Sequence, residues 1–209
     1  MARSHPGQLS LFDDSLPPPP PPAVAIESGE DSEAGFAAEP DRVVLALLVS
    51  SKSAGPVLAA ARHVAAQHEI EIPAEAAPSL FISMFDFGTF DALDAEEIET
   101  VLEAGAAVEM RRFDVALSTL GSCDDGAVAL FADDSGIIDA FTDCVRGALR
   151  ERCAPLPDAD RPHLVLCRSA MDIGPITLDR PLHLAIREYA LLRIWGDGYE
   201  VLRKWALAA

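Results

Sequence analysis

Histidine is the side chain best suited to moving protons near neutral pH, and this chain has five: His5, His63, His68, His163 and His183. His63 and His68 stand five apart on a segment patterned as a helix, a spacing that does not bring two side chains onto one face. His183 lies in a different strand-like segment, and His5 in an N-terminal tail. These four read as surface or packing residues. His163 differs. It follows Pro162 and opens the apolar run His163-Leu-Val-Leu-Cys-Arg168, which predicts a strand. Side chains alternate along a strand, so His163 and Val165 share a face. Arg168, five positions on, falls on the other face unless the strand ends or bulges first. The same alternation puts Phe81 and Ser83 together in the run Leu80–Phe85. The cysteines Cys123, Cys144, Cys153 and Cys167 form no C-x-x-C pair and read as reduced thiols. No Gly-rich phosphate loop and no metal-ligand spacing is present, so neither a cofactor nor a metal is expected.

The elements that must position these residues follow from periodicity. Val43–Val49 is a continuous apolar run, as in a strand covered on both sides. An alanine-rich helix is predicted over about 54–69 and a buried strand over 80–85, stopped by Gly88. A second helix opens at Asp94, which can cap it, with the following glutamates at the positive end of its dipole. Phe113–Leu120 alternates as a strand, with Ala127–Phe131 as its hairpin partner, and a helix is predicted over about 135–152. After the strand at His163 comes one long strand, Leu182–Ile194. A turn at Gly196-Asp197-Gly198 leads to a returning strand, Tyr199–Leu207. Each half repeats the same grammar. The expected fold is α+β, two-lobed and internally duplicated, with antiparallel sheets facing a central cleft and helices outside.

Residues 1–41 stand apart from this domain at 42–209. Pro17–Pro22 is a run of prolines, and the rest of the segment is too polar to collapse, so it reads as a disordered, acidic tail or linker. The net charge of −18 is uneven: residues 1–41 carry eight acids and one base, 42–150 eighteen and seven, and 151–209 eight of each. Such an acidic excess repels a phosphate backbone and excludes broad nucleic-acid binding, while leaving room for a short RNA end near the neutral last part. No secretory signal and no long apolar run is visible, so a cytoplasmic protein with no membrane partner is expected.

Several segments, taken in order, resemble the LigT-like branch of the 2H phosphoesterases. Pro162-His163-Leu164-Val165-Leu166-Cys167-Arg168 resembles that family's second motif, Pro-His-x-Thr-Leu-x-Arg. Ser79-Leu80-Phe81-Ile82-Ser83-Met84-Phe85-Asp86-Phe87-Gly88 resembles the first, Asn-Leu-His-x-Thr-Leu-x-Phe-x-Gly. The opening strand, Leu120-Gly121 and the ending Tyr199–Trp205 match as well, so the resemblance covers about 42–209. The branch contains RNA 2′,3′-cyclic phosphodiesterases, historically called 2′-5′ RNA ligases. The resemblance implies two imidazoles flanking a phosphate, one taking a proton from the attacking oxygen and the other giving one to the leaving oxygen. It also implies His163 as catalytic residue and Phe81, Ser83, Val165 and Arg168 as the substrate-facing positions. Two of the four motif side chains depart from the pattern: Phe81 stands where the first histidine is expected and Val165 where a hydroxyl is expected. Loss of one general acid or base costs about 10²–10⁴-fold, so impaired or altered phosphodiesterase activity is expected. Alternatives stay open. His163 is a retained cleft residue or an inherited one without a role. Ser83 is a core hydroxyl or a ligand contact. Arg168 is a cleft or an ordinary surface residue. As a whole the protein is an enzyme acting on an RNA end or nucleotide with a 2′,3′-cyclic phosphate, or a non-catalytic binder in which Phe81 stacks on a base, or an adaptor.

The adaptor reading comes from Gln8-Leu9-Ser10-Leu11-Phe12, which resembles the pentapeptide by which many bacterial proteins dock on the DNA polymerase sliding clamp. The glutamine supplies hydrogen bonds, Leu11 and Phe12 fill an apolar pocket, and an extended tail presents them freely. Packing of this segment back onto the domain as an extra strand, or no role at all, are the competing readings. If the segment docks, a peptide of residues 1–16 binds a sliding clamp with a Kd on the order of micromolar, and replacing Leu11 and Phe12 by alanine abolishes the heat of binding in calorimetry.

Overall fold

The computed structural model describes residues 40–72, 79–123, 126–133, 136–152, 154, 156–157, 161–168, 172–195 and 198–209. Cys153 and the tail motif Gln8–Phe12 lie outside the described residues. The strands are β1 (Arg42–Leu48), β2 (Phe81–Thr89), β3 (Phe113–Ser122), β4 (Ala127–Ala132), β5 (His163–Arg168), β6 (Ile176–Ile186), β7 (Glu188–Trp195) and β8 (Gly198–Ala206). The helices are α1 (Ala54–Gln67), α2 (Ala95–Ala106) and α3 (Gly136–Glu151). The strands form one antiparallel sheet in the order β6-β3-β4-β5-β2-β1-β7-β8. This is the expected α+β architecture with two four-stranded halves, which here form one continuous sheet. The halves join edge to edge where β2 meets β5, through the single register pair Ser83↔His163.

Both faces of the sheet carry apolar residues, which explains the unbroken run in β1. Val43, Leu45 and Leu47 belong to the main core with Ile82, Met84, Leu191 and the inner faces of the helices. Val44 and Ala46 belong to a smaller cluster on the opposite face with Phe81, Ala190 and Leu192. Helix α2 starts as its sequence dictates: the Asp94 carboxylate accepts from the Glu97 N–H at 2.8 Å and the Glu97 carboxylate accepts from the Asp94 N–H at 3.0 Å. Its far end packs on the β7–β8 hairpin. A side chain on Gly105 would collide with the Trp205 indole, and the buried Tyr189 stacks on that indole at 5.2 Å. No helix among the described residues is long and apolar enough to cross a membrane.

Three expectations change in detail. The single long strand over 182–194 is two strands, β6 and β7, which break at Arg187 and belong to different halves of the sheet. β6 also begins earlier, at Ile176, and tolerates Pro181 because it is an edge strand whose register with β3 breaks between Leu117 and Thr119. An edge strand is covered less completely than a central one, so its apolar signal is diluted by exposed residues such as Asp179 and Arg180. Gly88 does not stop β2. Its φ of +93° lets the strand turn and continue to Thr89, with its N–H donating to the Asp86 carboxylate at 2.7 Å.

The Tyr189 hydroxyl donates to the Gly105 carbonyl at 2.6 Å, and burial pushes its pKa up to about 12. Tyr189→Phe should lower stability by about 1 kcal/mol at neutral pH through loss of that bond. An unfolded tyrosine ionises near pH 10, whereas the folded group stays protonated to about 12. Wild-type stability therefore falls as pH rises through that window, and the variant lacks this loss. Urea midpoints at about pH 7 and about pH 11 should show the gap between the two proteins narrowing at the higher pH.

Candidate functional site

The central strands β2 and β5 carry all the strand residues that the sequence singles out. Cross-strand partners share a face. On β2, Phe81 pairs with Leu48, Ser83 with Ala46 and Asp86 with Val44, and those three β1 residues form or pack on the smaller apolar cluster. On β5, His163 pairs with Phe131 and Val165 with Ala129. Because Ser83 also pairs with His163, Phe81, Ser83, His163 and Val165 all lie on one face at the middle of the sheet. Phe81 and His163 sit diagonally on neighbouring strands. Ser83 is the residue directly beside the histidine.

Both strands contain a β-bulge at the same offset. In β2 the register with β1 slips between Leu45 and Ala46, which leaves Met84 and Phe85 both on the core side. In β5 the register with β4 slips between Val128 and Ala129, so Leu166 and Cys167 both turn to the core. The extra residue reverses the alternation. Position 168 pairs with Ala127, two residues from Ala129, and returns to the His163 face. Strict alternation would have put it on the other side. Asp86 holds the matching place on β2, where it is ion-paired with Arg42 at 2.5 Å.

His163 is half-buried and its orientation is fixed by its own chain. Its Nδ1 lies 2.9 Å from the Arg161 carbonyl. A carbonyl only accepts, so Nδ1 carries the proton and Nε2 of the neutral ring is left as a base. The Phe131 ring lies 5.8 Å from the imidazole, and the Arg161 guanidinium sits 4.8 Å from the centre of that same ring. Ser83 is buried, at 8% exposure, and unlike the buried Tyr189 its hydroxyl makes no hydrogen bond to the described protein. The seam beside it is closed by Ser79. The Ser79 N–H donates to the Val165 carbonyl at 2.8 Å. Its hydroxyl accepts from the Val165 N–H at 3.1 Å and donates to the Phe81 carbonyl at 3.1 Å.

Phe81 is 7% exposed and offers little ring surface of its own. Tyr199 covers it edge-on, with ring centroids 5.2 Å apart at 73°. Tyr199 pairs with Ile194, which pairs with Arg42, whereas Phe81 pairs with Leu48 at the far end of β1. On a flat strand those ends would stand about 20 Å apart. The rings meet because the sheet coils along that diagonal and brings the tip of the β7–β8 hairpin over the smaller apolar cluster. Sequence patterning misses Tyr199, Ser79 and Arg161: the first acts through sheet curvature, the others through hydrogen bonds that no periodicity encodes. His183 is exposed on the edge strand β6, where it pairs with Ala116 on the same sheet face as His163 but three strands away, and His63 and His68 are exposed on and after α1.

The fold has counterparts among solved structures. E. coli LigT complexed with 3′-AMP superimposes with a TM-score of 0.54 at 20% identity, covering 82% of this chain and all of that one. A protein described as a phosphoesterase gives 0.53 at 18% identity over 81% of this chain and 100% of its own. TT0787 of Thermus thermophilus gives 0.54 at 21% identity over 79% of this chain and 97% of its own. No protein-family model matches the sequence, and no curated protein matches it. The chain has the LigT-like 2H phosphoesterase fold.

Because Phe81 is packed on both sides, Phe81→Ala should destabilise the domain by about 3 kcal/mol through the cavity it leaves. It should also release Tyr199, read as a change in tyrosine near-ultraviolet circular dichroism.

Proposed function

We propose that this face binds the phosphate of a nucleotide or RNA end and hydrolyses a 2′,3′-cyclic phosphodiester slowly, with His163 as the general base. The observation that carries the reading is the pair at the seam: a buried, unpartnered Ser83 hydroxyl directly beside an imidazole whose Nδ1 is tied and whose Nε2 is not. A hydroxyl donates to a phosphate oxygen, and Nε2 takes a proton from water as it attacks. The bulge returns backbone position 168 to this same face. The LigT neighbour solved with 3′-AMP supports a nucleotide as the ligand class. Phe81, at the place on β2 that corresponds to His163 on β5, cannot exchange a proton, and this makes the reaction slow.

The same substitution favours a second reading, binding without turnover, because the β2 half of the site is apolar rather than basic. In that reading the exposed aromatic surface for a base is Tyr199 rather than the covered Phe81. The tail motif Gln8–Phe12 would then tether a ligand-holding domain to a sliding clamp.

Hydrolysis of uridine 2′,3′-cyclic phosphate and binding of 3′-AMP by calorimetry separate these readings. The enzymatic reading expects turnover that disappears in His163→Ala. It also expects 3′-AMP binding that weakens about 10- to 100-fold in Ser83→Ala, the range for one hydrogen bond to a charged group. Binding with no turnover selects the second reading. Neither binding nor turnover by the folded protein removes both.

A further inference from the structure

Displacement at phosphorus that expels a sugar oxygen needs a proton acceptor on the entering side and a proton donor on the leaving side. The fold places its two central strands in equivalent positions, each with its motif residues just ahead of a matching bulge. His163 occupies one of the two equivalent places. The other is filled by the Phe81 ring, which is inert in proton transfer. Tyr199 stands over that ring at 5.2 Å. It lies on the same sheet face as Ser83 and His163, through its pairing with Ile194. It remains 39% exposed, and its hydroxyl makes no hydrogen bond to the described protein.

We propose that Tyr199 replaces the missing imidazole as the proton donor to the leaving oxygen. This rests on the phosphodiester reading above. In the step, Nε2 of His163 takes a proton from water while the water oxygen forms a bond to phosphorus. The bond from phosphorus to one of the two ribose oxygens breaks, and that oxygen takes the phenolic proton of Tyr199. The products are a phosphomonoester on the other ribose oxygen and a free hydroxyl. The imidazolium then returns its proton through solvent to the phenolate, and both groups recover their starting states. A phenol is more acidic than a sugar hydroxyl, so the transfer to the leaving oxygen runs downhill. Phe81 is then a positioning residue: its packed ring sets the height and angle of the tyrosine, and the coil of the sheet brings a hairpin tip to a place that β2 itself cannot serve.

Leaving-group dependence tests this. Tyr199→Phe keeps the ring that packs on Phe81, so the fold is retained. Its kcat on uridine 2′,3′-cyclic phosphate should fall about 10²-fold with KM little changed. On bis(p-nitrophenyl) phosphate the loss should be far smaller, because p-nitrophenolate departs without a proton. Equal losses on both substrates, or no loss on either, overturn the tyrosine's role while leaving His163-dependent turnover standing. A folded wild type inert toward both substrates ends the phosphodiester reading and this one with it.

Discussion

The structure depends on a narrow seam. Two four-stranded halves become one sheet only where β2 meets β5, through the Ser83↔His163 pair and the two hydrogen bonds between Ser79 and Val165. Elsewhere the halves are held by helices packed on the shared core. The candidate site sits on this seam, where the relative placement of Ser83 and His163 is set by backbone pairing rather than by side-chain packing. Ser79 extends the ladder with its side chain where regular pairing has ended, and so holds Phe81 and Val165 in step.

Much of this was legible in the sequence because it rests on local rules. A run apolar at every position, Val43–Val49, announces a strand covered on both faces, and β1 is such a strand. The Asp94 and Glu97 spacing announces a helix start, and both capping bonds form. The i, i+2 rule placed Phe81 with Ser83 and His163 with Val165. The resemblance to LigT-like proteins, read from motif order, agrees with the fold found. What was not legible depends on partners or on accumulated geometry. The bulges are set by the neighbouring strand, so position 168 could not be assigned to a face from its own segment. The break at Arg187 separates two runs that look continuous because both are apolar. The meeting of Tyr199 with Phe81 sums the twist of several strands, which no window of residues contains.

The two halves of the site have diverged in character. On the β5 side the Phe131 ring is shared by the His163 imidazole and the Arg161 guanidinium, and the Arg161 carbonyl fixes the imidazole. On the β2 side an aromatic pair closes over alanine, valine and leucine. One side carries an imidazole and cationic groups, the other carbon surface and a single phenol. Two equivalent places in the sheet thus hold chemically different side chains.

The paired bulges make chain length, rather than residue identity, the guardian of the site. Each adds one residue without a partner, and each thereby resets which side of the sheet every later position addresses. Loss of one residue near Leu166 would turn position 168 to the opposite side of the sheet while leaving the composition of the strand almost untouched. Apolar substitutions of similar size at Leu166 or Cys167 would leave that facing unchanged. Across these two short stretches the number of residues, more than their exact apolar identity, sets which side each later position addresses.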